Sequence, residues 1–217
     1  MKITDLSITM HRWDMPKTTY GESAGGPRQV GVVTIETDEG IQGHSFLGSS
    51  LQSGDELAGQ VLQRLKPAVM GRNPLDIGAI WQDLWARHRR VASPAICAVD
   101  VALWDIAGKV AGLPIHRLIG TYRDKVPAYA SSASMSDPQQ YVDEALSFRD
   151  RGWTAYKIHP VKNPKKDVEI CAAVKNAIGD SMVLMLDSMW VYGYEDALRV
   201  GLAIQEMGYY WYEDPLA

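Results

Sequence analysis

Two basic side chains, Lys157 and His159, sit at alternate positions of the strand-like segment 154–159 (TAYKIH). Side chains alternate along a strand, so these two face one side while Tyr156 and Ile158 face the other. Two basic groups aimed the same way at a strand end are expensive to bury without negative charge nearby. The next apolar run, 182–186, ends in Asp187, and the one after it, 209–212, ends in Glu213 and Asp214. Carboxylates converging from neighbouring strand ends are oxygen ligands for a hard cation such as Mg2+. A base beside such a cation can take a proton that the cation's charge has acidified. Histidine titrates near neutral pH, which suits His159 to that work. Asp214, next to Glu213 on an alternating chain, is expected to face away from it and to be structural.

These residues belong to a repeat. Asp137-Pro138 opens a helix that closes at Gly152, Asn163-Pro164 opens one that closes at Gly179, and a third beginning at 194 closes at Gly208. A strand-like run precedes or follows each, beginning with VPAYASS at 126–132. Glycine at these stops can adopt the positive φ of a helix C-terminus. Strand, helix and strand at this period make βαβ units of a parallel sheet. A doubly wound sheet usually carries a glycine-rich turn after its first strand, whereas SSASMSDPQQ contains no glycine. A barrel places functional groups at the C-terminal ends of several strands, as here. A closed barrel needs about eight strands, so the sequence is expected to be the N-terminal part of a longer chain.

The first half reads as α+β. Segments 2–13, 30–37 and 41–46 are strand-like, with Asp38-Glu39-Gly40 as a hairpin turn. The Gly-, Pro-, Ser- and Thr-rich segment 15–29 reads as a surface loop, and its GESAGG precedes a strand, unlike a phosphate cradle. A helix from Ser53 is expected to bury Leu57, Val61, Leu62 and Leu65 and to end near Pro67. A second, 75–90, is expected to turn Ile80, Trp81, Leu84 and Trp85 inward. A third starts with Ser93 as N-cap and Pro94 at its first position and closes at Gly112. Its many small residues permit close approach to a neighbouring element.

The net charge of −4 and the lack of a basic run argue against nucleic acid. Cys97 and Cys171 have no disulfide or zinc spacing and read as buried or half-buried free thiols, which fits a cytoplasmic protein. No apolar run is long enough to span a bilayer. His11, His44, His88 and His116 have no ligand spacing, and Lys162, Lys165 and Lys166 look like a solvated helix start.

The run AICAVDVALWDIAGKVAGLPIHRLIG (residues 95–120) resembles the signature helix of the mandelate racemase/muconate lactonizing enzyme family of the enolase superfamily. YKIHP, LDSMW and YEDPL follow in that family's order and spacing. The resemblance implies an α+β capping domain over residues 1–122. Residues 123–217 are then the first four strands of a TIM-like (β/α) barrel, modified to (β/α)7β in the family and incomplete in this chain. It implies that the loop around 14–29 closes over substrate, with Tyr20 and Arg28 as candidate contacts. Asp187 and Glu213 match the first two Mg2+ ligands, while the third ligand and the opposite-face acid/base lie beyond Ala217. Lys157 and His159 match a Lys-x-Lys motif, with His replacing the second Lys at the proton-abstracting position. Lys157 then offers positive charge to the substrate carboxylate. The implied reaction is Mg2+-dependent abstraction of the proton α to a carboxylate through an enediolate, most often dehydration of an acid sugar. Racemisation or epimerisation is the alternative, and an inactive fragment or non-catalytic half-barrel is the alternative of another class. The expected partners are a small-molecule carboxylate and further copies of the chain, with no nucleic acid and no membrane.

Overall fold

The computed structural model describes residues 1–15, 26–48 and 54–216. They fall into two compact units, one built from Met1–Met15 and Gly26–Asp124, the other containing the chain from Lys125 onward.

The first unit is an antiparallel meander of β1 (Ile3–Met15), β2 (Gly26–Thr37) and β3 (Gln42–Leu47), backed by helices. β2 starts earlier than its composition suggests. Gly26 pairs with Met15 and Arg28 with Trp13, so Arg28 is an exposed strand residue and not part of a loop. Composition reports on core packing, but the end of β1 offers a backbone ladder that needs no apolar side chains. Tyr20 lies outside the described residues.

The next helix is not uniform. α1 (Gly54–Gln60) passes into a π-helical turn, Val61–Leu65, and then α2 (Lys66–Val69). Lys66 N–H donates to the Val61 carbonyl, five residues back. Pro67 lies close to the end of the helix, as expected, and the chain runs on to Val69 because the wider turn ahead of it accommodates a residue that cannot donate. The buried positions are Leu57, Val61, Leu65 and Val69, at a strict spacing of four, and Leu62 is exposed. In α3 (Ile77–Trp85) Ile80 and Leu84 are buried in the core and Ile77 packs half-buried against it. Trp81 and Trp85 are exposed and stack on each other with ring centroids 5.5 Å apart.

α4 (Ser93–Ala111) is the buried spine of this unit. Its N-cap is Ala92, so Ser93 and Pro94 are the first helical positions, and Gly112 ends it with φ 62°. The expected close approach is made against β3. A Cβ built on Gly43 would collide with the Ala102 carbonyl oxygen and lie 2.6 Å from Ile106 Cγ1. Ser45 Oγ donates to the Ala98 carbonyl at 2.5 Å one step along the same face. A short helix, α5 (Ile115–Leu118), follows. Cys97, on α4, is exposed and Cys171 is buried; both are free. Among the described residues no helix is long and apolar enough to cross a membrane.

The second unit repeats one motif. β4 (Ala130–Ser131), β5 (Ala155–Ile158), β6 (Val183–Asp187) and β7 (Trp211–Glu213) are parallel and lie in chain order. Between them run α6 (Pro138–Asp150), α7 (Pro164–Ile178) and α8 (Tyr194–Glu206). A sequential order without reversal is that of a (β/α) barrel wall, not of a doubly wound sheet. The caps are as the sequence suggests. Asp137 accepts from Gln139 N–H at 2.9 Å in a capping box with Gln140, and Asn163 accepts from Lys166 N–H at 3.1 Å. Gly152, Gly179 and Gly208 have φ of 88°, 57° and 74°. Tyr156, Ile158, Leu184 and Leu186 pack with Tyr141, Ile170, Val174 and Val200 in a core separate from that of the first unit. At about 25 cal/mol per Å2 of apolar area, this burial is what holds the helices on the sheet. The strand residues at alternate positions are left facing the other way.

Candidate active site

The four residues singled out by spacing come together at the C-terminal ends of β5, β6 and β7. The register places Lys157 beside Met185 and Asp187 beside Glu213, with His159 just past the end of β5. Lys157 is 7% exposed and Asp187 8%, so neither charge is freely hydrated. Lys157 Nζ donates to Asp187 Oδ2 at 3.0 Å and to Glu213 Oε2 at 3.0 Å, and lies 5.5 Å from the centre of the Tyr129 ring. Burial alone would push the Lys157 ammonium down, but the two carboxylates outweigh it and its pKa is raised. For Asp187, burial pushes upward and is overcome by Lys157, the Met189 N–H and His159, so its pKa is lowered. Both groups are therefore held in their charged forms.

His159 is held on both nitrogens. Nδ1 lies 2.6 Å from the Ser132 carbonyl oxygen and 3.3 Å from Ser131 Oγ, and Nε2 lies 3.0 Å from Asp187 Oδ2. A carbonyl can only accept, so Nδ1 carries a hydrogen. Nε2 is then the nitrogen that gains or loses a proton. The backbone is fixed as well. His159 N–H donates to Ser132 Oγ at 2.8 Å, and the buried Tyr141 hydroxyl donates to the His159 carbonyl at 2.8 Å while accepting from Met135 N–H at 2.7 Å. Ser131, Ser132 and Tyr141 were not foreseen from spacing. The polar SSAS run at the end of the first barrel strand is the signal that marks the two serines.

Asp214 departs from expectation. Its backbone is left-handed, with φ 45°, and alternation holds only for extended backbone. Carboxylate oxygens of Asp187, Glu213 and Asp214 lie within 4.8 Å of one another. Three oxygen donors at that spacing suit a hard divalent cation, whose ligand distances are roughly 2.0–2.6 Å. The Lys157 ammonium between Asp187 and Glu213 supplies positive charge at the same place. Arg28 belongs to the first unit, where, on β2, it pairs with Trp13.

Residues 3–120 match the model of the mandelate racemase/muconate lactonizing enzyme N-terminal domain, and residues 140–217 match the enolase C-terminal domain-like model. The chain is 30% identical over 201 residues to arabinonate dehydratase of Saccharolobus solfataricus, covering 88% of this chain and 53% of that protein. It is 28% identical over 231 residues to N-succinyl-L-Arg/Lys racemase of Bacillus cereus, covering 100% of this chain and 60% of that one. The structure of D-glucarate dehydratase from Agrobacterium tumefaciens complexed with magnesium superposes with a TM-score of 0.85 at 30% identity, over 100% of this chain and 61% of that one. The chain thus spans about half to three fifths of the length of these relatives. Its sheet order, its gathered strand-end residues and the match over both units agree: the chain belongs to the mandelate racemase/muconate lactonizing enzyme family of the enolase superfamily.

Proposed function

We propose that the whole protein removes the proton α to a substrate carboxylate in a Mg2+-dependent reaction and dehydrates an acid sugar. The observation that carries this is the meeting of His159, Lys157, Asp187 and Glu213 within hydrogen-bonding distance at adjacent strand ends. His159 is the base. With Nδ1–H held by the Ser132 carbonyl, Nε2 accepts the proton while the C–H electron pair moves into the carboxylate to give an enediolate. Lys157, kept cationic by its two carboxylates, faces the substrate's negative charge. Asp187 and Glu213, with Asp214 beside them, are the groups to hold Mg2+, which supplies Lewis-acid stabilisation of the developing charge. The β-hydroxyl then takes a proton from a general acid and leaves as water, while the enediolate electron pair forms the C=C bond, which completes dehydration. Protonation from the opposite face would instead give racemisation, and the first step is common to both.

The test is exchange of the substrate α-proton with solvent deuterium, followed by NMR in the whole protein. His159→Ala is expected to abolish exchange while leaving the fold intact; exchange at the unaltered rate would remove His159 from the role of base. Asp187→Asn is expected to weaken Mg2+ binding by roughly tenfold or more in titration calorimetry, and equal affinity would remove Asp187 from the ligand set.

A further inference from the structure

One fully buried carboxylate takes no part in the proposed reaction. Asp167, in the first turn of α7, is 0% exposed. Its Oδ1 accepts from Val161 N–H at 3.0 Å, and the Lys162 and Asn163 N–H groups also favour its charged form. Its Oδ2 accepts from the hydroxyl of Tyr192, a residue only 6% exposed. Residues 160–163 make the loop that leaves β5 after His159, and Tyr192 belongs to the loop that leaves β6 after Asp187. The Asp167–Tyr192 pair therefore ties the loop behind the proposed base to the loop behind the first metal ligand. Desolvating a carboxylate is costly, and apolar side chains of similar volume would fill the space at lower cost. What the hydrogen bond adds is a fixed distance and direction between the two loops.

The tie continues on both sides. Ser188 N–H donates to the Glu213 carbonyl at 3.0 Å, Trp190 N–H to the Asp214 carbonyl at 2.7 Å and Tyr192 N–H to the Pro215 carbonyl at 3.1 Å. The loop after β6 thus runs as a backbone ladder beside the residues that follow β7. At the other end, the Tyr141 hydroxyl joins Met135, beyond β4, to the His159 carbonyl. Between the loops after β5 and β6 the link is made by side chains, through Asp167 and Tyr192. The same loops hold the strained backbone. Among the described residues, the non-glycine positions with positive φ are Lys162, Met189, Trp190 and Asp214, and all stand just beyond β5, β6 or β7. Such conformations persist only where their surroundings hold them.

We infer that Asp167 and Tyr192 are positioning residues, whose hydrogen bond sets where His159 Nε2 stands relative to a metal held at Asp187 and Glu213. The inference rests on the reading of His159 as the α-proton base. Asp167 is sealed from solvent, so it acts through the two loops and not on the substrate. His159 Nε2 lies 3.0 Å from Asp187 Oδ2, so a slip of one loop against the other moves the base against the metal site directly. A displacement of about 1 Å in a reacting group can lower a rate on the order of 100-fold. Loosening the clasp therefore acts on kcat and leaves KM nearly as it was, because the base adds little to ground-state binding.

The test uses the whole protein with Mg2+ and an acid sugar whose α-proton the unaltered protein exchanges. Tyr192→Phe keeps the ring and removes the hydroxyl. It is expected to lower kcat for exchange by about tenfold or more, with KM and the Mg2+ dissociation constant within about twofold. Asp167→Asn keeps an acceptor for Val161 N–H and a partner for the Tyr192 hydroxyl, and is expected to retain most of kcat. Asp167→Ala is expected to match Tyr192→Phe. Unchanged kcat in Tyr192→Phe, or an equal loss in Asp167→Asn and Asp167→Ala, overturns the inference. Crystal structures of the Mg2+-loaded protein and of Tyr192→Phe give a readout apart from turnover. The distance from His159 Nε2 to the metal is expected to change by about 0.5 Å or more, or the ring to occupy more than one position. A ring that stays in place overturns the inference, whatever the rate. If the unaltered protein exchanges no α-proton on any acid sugar, the reading of His159 as the base fails. A ring that moves in Tyr192→Phe then leaves the clasp standing as the element that places His159 against the metal.

Discussion

The two units solve the same problem, a sheet covered by helices, with opposite use of their exposed strand groups. In the first unit the contact between α4 and β3 is nearly bare backbone. Gly43 lies against the Ala102 carbonyl and Ser45 donates to the Ala98 carbonyl, while at the exposed rim His44 N–H donates to Asp105 Oδ2 and Lys109 Nζ to the Gln42 carbonyl. Nothing there is chemically reactive, and the fit has no slack. In the second unit the strands bury apolar groups against the helices but end in Lys157, His159, Asp187 and Glu213 on the other side. That cluster is held by charge pairing rather than by shape. Packing precision and chemical function are thus carried by different places in this chain, and substitutions should separate them.

The sharpest break comes at Gly43. Gly43→Ala forces backbone apart and is expected to destabilise the protein by about 3 kcal/mol in urea unfolding, as for other overpacked core sites. A change below about 0.5 kcal/mol would mean that α4 moves freely on β3, against the comparison. The next effect is in the second unit. Asp167 is buried and accepts from the Tyr192 hydroxyl, and burial raises its pKa despite that bond and three backbone donors. A carboxyl whose folded-state pKa is raised binds its proton more tightly when folded. Its contribution therefore improves as pH falls through the folded-state pKa toward the unfolded value. Tyr192→Phe removes a donor to the charged form and is expected to cost about 1–3 kcal/mol at neutral pH and less in acid. A loss that does not shrink in acid would show that the hydroxyl matters for packing alone. The smallest effect is at the surface of the first unit. Lys66 lowers the Asp5 pKa, which burial opposes, so this pair stabilises above the unfolded pKa of Asp5 and the gain is lost as pH falls through the folded value. Both side chains are about a third or more exposed, and Asp5→Asn is expected to cost below about 1 kcal/mol at neutral pH. A larger loss in pH-dependent unfolding would give charge pairing a place in the first unit that the comparison denies it.

What could be read from residue order follows the same division. The barrel repeat was legible because Asp137-Pro138, Asn163-Pro164 and the three closing glycines each have one local meaning. Lys157, His159, Asp187 and Glu213 were legible because alternation in parallel strands is nearly rigid. Failures occur where a local rule is overridden. Trp81 and Trp85 form a stripe next to Ile80 and Leu84, and periodicity alone does not say which stripe the core takes. Leu62 satisfies an α-helical period that the π turn replaces. Arg28 was drawn into a strand by its pairing with Trp13. Asp214 swings toward Glu213 because its φ leaves the strand region.

The π turn at Val61–Leu65 bears on how this chain tolerates insertions and deletions. Because Leu57, Val61, Leu65 and Val69 repeat every four residues, the segment stays aimed at the core only while the wide turn persists. Removing a single residue from 61–65 would close the turn to ordinary α-helical pitch and leave the downstream residues facing the core, because the wide turn holds one residue more than an α-helix needs. A one-residue deletion should therefore be tolerated in this segment better than in α4, where it would turn the buried face by about 100°.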